Sequence, residues 1–136
     1  MKNVVNIFKL LSDETRVRIL MLLTRKELCV CQLMGVLGIS QPLVSRNLSL
    51  LSGAGFLGER REGKLMFYSI KKHITPVIER ALDLLLTELR SSAALQADLE
   101  SLTDCAEFQK KTGKCDMKTF LAFMEKKRKQ KDKKRI

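Results

Sequence analysis

The run Glu27-Leu28-Cys29-Val30-Cys31-Gln32-Leu33, followed shortly by Ser40-Gln41-Pro42-Leu43-Val44-Ser45-Arg46, constrains this chain more than any other feature. The first run sets two thiols one residue apart at the start of an apolar helical segment. The second reads as a turn feeding a polar-faced helix of the kind that enters a DNA groove. Soft-metal ligands built into the first helix of a DNA-reading motif imply a repressor that lets go of DNA when its thiols are occupied.

The segments around these runs divide cleanly. Val4, Phe8 and Leu11 repeat at helical spacing, with Val5 and Ile7 widening the stripe. A second helix starts after Ser12 or Asp13, either a good cap, and carries Val17, Leu20 and Leu23 on one face. Cys31 to Leu37 makes a short third helix stopped by Gly38. Ser40 or Gln41 opens a fourth, with Pro42 in its first turn, where a missing N–H costs little. Two short strands, Phe56 to Arg61 and Leu65 to Ile70, flank Glu62-Gly63-Lys64, a turn in which glycine supplies the hairpin geometry.

Thr75 then caps a long helix running to Leu89, with Pro76 in its first turn. Its apolar residues, Val77, Ile78, Ala81, Leu82, Leu84, Leu85 and Leu89, cover too broad a face for one neighbour, which predicts a dimer. Leu95, Leu99 and Leu102 continue at helical spacing to Cys105. A loop around Gly113 leads to Cys115, and Asp116 caps a last helix with Met117, Phe120, Leu121 and Met124 on one face. The expected fold is mainly α with a small β-hairpin, a dimeric winged helix-turn-helix with a C-terminal helical extension. The expected division is a DNA-binding and dimerisation domain over 1–91 and the extension, with two cysteines and a basic tail, over 92–136.

In such an architecture the helix from Gln41 to Leu51 lies in the major groove. It offers Ser40, Gln41, Ser45, Arg46 and Ser49, where arginine takes guanine edges, glutamine takes adenine edges and serine serves bases or phosphates. The wing adds Arg60, Arg61 and Lys64, suited to backbone phosphates. The net charge of +11 fits a polyanionic partner, but +7 of it lies between Lys126 and Ile136, so the strongest basic signal sits in the tail and not in the reading helix.

Leu11-Ser12-Asp13-Glu14-Thr15-Arg16, Glu27-Leu28-Cys29-Val30-Cys31, Ser40-Gln41-Pro42 with Ser45-Arg46, and Arg61-Glu62-Gly63-Lys64 with Tyr68 together resemble the ArsR/SmtB family of metal-responsive repressors. The resemblance runs from about Val4 to Leu89. It matches the family's "LADETR" segment, the "ELCVC" box of its arsenic- and cadmium-sensing members, and the reading helix "SQPxxSRHL", with Asn47 in place of the histidine. It implies operator DNA and a second copy of the chain as partners, and arsenite, As(III), as inducer, with Cd(II), Pb(II) or Sb(III) as further thiophilic ions.

Two departures bear on the ligands. The arsenite sensors carry a third cysteine three residues after the second, where this chain has Met34. The cadmium sensors draw further cysteines from an N-terminal arm, and no cysteine precedes Cys29 here. The family's zinc site on the long C-terminal helix lacks its residues, because only His73 is present, ahead of that helix. The expected metal ligands are therefore Cys29 and Cys31, with Cys105 or Cys115 as candidates for a third sulfur from the same subunit or its partner, or as a separate or idle pair.

Trivalent arsenic prefers three thiolate sulfurs in a pyramid, and cadmium and lead are also thiophilic. Residues i and i+2 of a regular helix point about 200° apart. Ligation by Cys29 and Cys31 should therefore distort the first turn of the helix that braces the reading helix, which links binding to release. A cadmium/lead sensor or a thiol-redox sensor using the same pair is the alternative among regulators. A constitutive DNA-packaging protein would account for the tail but not for Cys-x-Cys. An arsenical-processing enzyme has no support, since no catalytic base, glycine-rich cofactor loop or His/acid cluster is visible. No apolar run nears the roughly 18 residues of a membrane span. Met1 to Leu11, broken by Asn6 and Lys9, does not read as a signal peptide, so a cytoplasmic location is expected.

Overall fold

A computed structural model describes residues 1–112, 122, 123 and 125–130. Helix α1 (Lys2–Leu11) leads into α2 (Glu14–Arg25), whose N-cap Asp13 accepts a hydrogen bond from the Arg16 backbone N–H at 3.0 Å. Strand β1 (Leu28–Cys29) precedes α3 (Val30–Leu37), which ends at Gly38 in the left-handed conformation that glycine adopts without steric cost. Helix α4 (Gln41–Gly53), strands β2 (Leu57–Glu62) and β3 (Leu65–Ile70), α5 (Pro76–Glu88) and α6 (Ala93–Thr112) follow. Residues 122, 123 and 125–130 are also helical. The architecture is a winged helix-turn-helix, as the order of helices and hairpin predicts.

One element was not visible as a pattern. The hairpin of β2 and β3 turns at Gly63, whose φ is 60°, and gains a third antiparallel strand, giving the order β1-β3-β2. Two residues suffice for β1, with Leu28 opposite Tyr68 and Cys29 opposite Phe67. So short a strand leaves no alternation to read. It exists because β3 offers its open edge and Leu28 is wholly buried.

The core gathers Ile19 to Leu23 of α2, Leu28, most of α3, Val44, Leu48 and Leu51 of α4, Phe56 and Leu57, and Ile78 and Leu82 of α5. Leu95, Cys105 and Phe123 join it, so α6 and the helical segment after it share this core. Helix α6 packs on α2 and α3. Asp98, with its side chain 4% exposed, takes both Nε and Nη2 of Arg18 at 2.9 and 2.7 Å. That fork-shaped pair anchors α6, and the Arg18 pKa is raised by the bond to Asp98.

The stripe on α1 is turned differently from the sequence expectation. Ile7 and Leu10 face the core, whereas Val4, Val5 and Phe8 are exposed, Phe8 by 64%. Leu84 and Leu86 of α5 are exposed as well. The elements expected beyond Thr112, namely the loop at Gly113, Cys115, the Asp116 cap and the apolar stripe of Met117, Phe120, Leu121 and Met124, lie outside the described residues.

The Arg18–Asp98 pair makes an asymmetric prediction. Arg18→Ala strands a buried carboxylate and should cost about 3–5 kcal/mol. Asp98→Ala leaves an arginine that water still reaches, and should cost roughly 1–2 kcal/mol. Urea unfolding at fixed protein concentration checks the order, and equal losses would contradict it.

Candidate DNA-reading surface and thiol site

The reading helix α4 is sorted by burial. Ser40 caps it, its hydroxyl accepting from the Leu43 N–H at 3.4 Å, and Pro42 sits in the first turn. Val44, Asn47, Leu48 and Leu51 are buried, which turns Gln41, Ser45, Arg46 and Ser49 outward together with Ser40. The buried Asn47, where the family motif has histidine, accepts from Arg16 Nη1 at 3.4 Å, while its Nδ2 has no partner. Arg16 also donates through Nε to the Leu10 carbonyl at 2.7 Å, so one guanidinium ties α1, α2 and α4 together.

The wing residues fall into two groups. Arg61 and Lys64 are exposed beside the turn and have no ion-pair partner among the described residues. Arg60 is exposed but engaged: it pairs with Glu27 at 2.6 Å and Glu62 at 2.9 Å, and its guanidinium lies 4.9 Å from the Phe67 ring centre. Those bonds hold Arg60 still more firmly protonated and lower the Glu27 pKa. Sequence reading assigned Glu27 no partner, because the pairing joins the residue before β1, a strand not foreseen, to β2.

The thiols sit at a junction and not on one helix. Cys29 ends β1 and caps α3 with extended backbone angles (φ −94°, ψ 171°), while Cys31 lies in the first turn of α3. The 200° separation expected of two residues on a regular helix therefore does not apply to this pair. The Cys29 N–H donates to Gln32 Oε1 at 3.0 Å, and Gln32 Nε2 donates to Gln109 Oε1 of α6 at 3.0 Å. This amide bridge ties the end of β1 to the extension helix.

Cys105 lies one helical turn before Gln109 on α6, the same face of the helix. It is 2% exposed, Cys29 is 1% and Cys31 is 8%, and no disulfide joins any two of them. Burial, and next the neighbouring Cys29 thiol, push the Cys105 thiol up to about 12, with Lys26 and Lys127 opposing. Among the described residues no three His, Cys, Asp or Glu side chains already stand grouped as an ion-holding set. Met34 is buried in the core, His73 is exposed ahead of α5, and Cys115 lies outside the described residues.

A polar-faced helix beside a wing, carried by a helical core, defines a winged helix-turn-helix DNA-binding regulator. The profile of the arsR family of bacterial regulatory proteins matches residues 13–58. The arsenical resistance operon repressor of Escherichia coli is 42% identical over 80 residues, which span 58% of this chain and 68% of that protein. A CadC homolog of Staphylococcus aureus, a cadmium resistance regulatory protein, is 40% identical over 81 residues, 58% of this chain and 67% of that protein. A homodimeric winged helix-turn-helix DNA-binding domain from Mycobacterium bovis superposes with a TM-score of 0.56 at 26% identity, covering 68% of this chain and 82% of its own. The chain belongs to the ArsR family. It is a transcriptional repressor of that family and not an enzyme.

Proposed function

We propose that this repressor is a homodimer that holds operator DNA through α4 and the wing and releases it when arsenite binds Cys29 and Cys31. The observation that carries the reading is the position of the two thiols. They straddle the joint between β1, which pairs with the wing strand β3, and α3, which packs on α4. A ligand that draws both sulfurs together must act on that joint, and so on both DNA-facing elements. No helix among the described residues is long and apolar enough to cross a membrane, and the proposed setting is the cytoplasm, where thiols stay reduced.

Burial supports arsenite over divalent ions. Arsenous acid gives up its hydroxides as water as it takes thiol protons, and the product with three thiolates is neutral. Cd(II) or Pb(II) on three thiolates leaves a net negative charge in the same apolar setting, where an unpaired charge is costly. Sb(III) shares the neutral chemistry. The similarity to the cadmium resistance protein favours Cd(II) as the second reading, with Pb(II) sharing its thiophilic chemistry.

The DNA-contacting set is Ser40, Gln41, Ser45, Arg46 and Ser49 from α4, with Arg60, Arg61 and Lys64 from the wing. Residues 1–91 form the DNA-binding and dimerisation domain and 92–136 the extension. The dimer face joins the exposed Val4, Val5 and Phe8 of α1 to Leu84 and Leu86 of α5.

Three outcomes follow. Arg46→Ala should weaken operator binding by roughly 1–3 kcal/mol and relax base preference, read by titration against operator and mismatched duplexes; unchanged affinity would misplace the reading helix. A footprint should cover an imperfect inverted repeat with half-sites about one helical turn, or a multiple, apart. A monomer protecting a single half-site would refute the dimer. Cys29→Ser and Cys31→Ser should each keep near-normal DNA binding and lose arsenite-driven release, since a hydroxyl is nearly isosteric but a poor soft-metal ligand. Wild-type response in both would remove the box from the sensor.

A further inference from the structure

The extension brings one more thiol to the joint. Cys105 is buried on α6, the helix that packs on α3, and one turn along α6 Gln109 accepts from Gln32, whose Oε1 takes the Cys29 N–H. Helix α6 is pinned on either side of Cys105, by the Arg18–Asp98 pair two turns before it and by Gln109 one turn after it. The helical segment after it closes the far side. Phe123 is buried with its ring centre 5.5 Å from that of Phe108, and Lys127 Nζ pairs with Asp104 at 2.6 Å.

We propose that Cys105 supplies the third sulfur of the arsenite site from the same subunit, taking the place that the family motif gives to the position occupied here by Met34. The proposal rests on Cys29 and Cys31 being the core ligands. Each of three As–O bonds of arsenous acid is replaced by an As–S bond, and each displaced hydroxide leaves as water with one thiol proton. Arsenic stays trivalent. Because α6 is anchored at both flanks, the Cys29–Cys105 pair is the fixed side of the site. Cys31 must then be drawn from the first turn of α3, so ligation loosens the helix that packs on α4 and not the extension.

Arsenic-edge X-ray absorption on the full-length dimer with arsenite tests this. Three sulfurs are expected in the wild type and in Cys115→Ser, and two sulfurs with one oxygen in Cys105→Ser. Cys105→Ser should also need at least about tenfold more arsenite for half-release of operator DNA. Three sulfurs in Cys105→Ser, or two in Cys115→Ser, overturns the assignment. Cys105→Ala, with operator affinity as the check of folding, serves if the serine variant is unstable. Mixed dimers of Cys29→Ser and Cys105→Ser subunits decide the geometry. A site within one subunit leaves them without a three-sulfur centre, whereas a site crossing the interface restores one and refutes the proposal. If Cys29→Ser and Cys31→Ser keep three sulfurs, the underlying reading fails instead.

Discussion

Helix α3 is buried from Cys31 to Leu37 on every side, and α4 and the wing take their positions from it and from the strand that leads into it. A helix apolar all round can be stable only when neighbours cover its whole circumference. Here α4 covers one side and α6 another, while the strand that leads into it is stitched to β3. Such close-packed surroundings do not deform gradually, so in the proposed mechanism a change in the first turn of α3 would reach α4 and the wing as a shift in packing. Capping by the Gln32 side chain, and not by an acidic or hydroxyl residue, leaves that first turn tied to the extension through Gln109.

Electrostatic contacts reinforce the same joint. Arg18–Asp98 is largely buried and holds α6 to α2, a role that depends on both partners being present. Glu27–Arg60 is exposed and contributes little to stability, but it links the residue before β1 to the wing. Arg60 also stacks over Phe67, the residue opposite Cys29 in the sheet. A displaced Cys29 therefore has a short structural path to the guanidinium of Arg60 in the wing. The basic tail is partly engaged as well, with Lys126 over Phe108 and Lys127 over Phe123.

Much of the molecule was legible in the chain. Helical spacing, the caps Asp13, Ser40 and Thr75, and the turn at Gly63 are local signals, because they depend on backbone geometry within a few residues. The outward face of α4 follows from the period of Val44, Leu48 and Leu51 alone. The family motifs lie within these same segments.

What the chain alone determined was which residues could read DNA and which could hold a soft ion, since residue type and helical period carry that information. Tertiary structure decided which of them meet. The strand β1 forms only because β3 presents an edge, so the placement of Cys29 outside the helix could not be read locally. The rotation of α1 that buries Ile7 and exposes Phe8 depends on what lies opposite. Gln32 and Gln109 are far apart in sequence, and only the packing of α6 on α3 joins them, with Cys105 one turn away on the same helix. Spacing along a chain records local geometry, whereas proximity across a core is set by how faces cover one another.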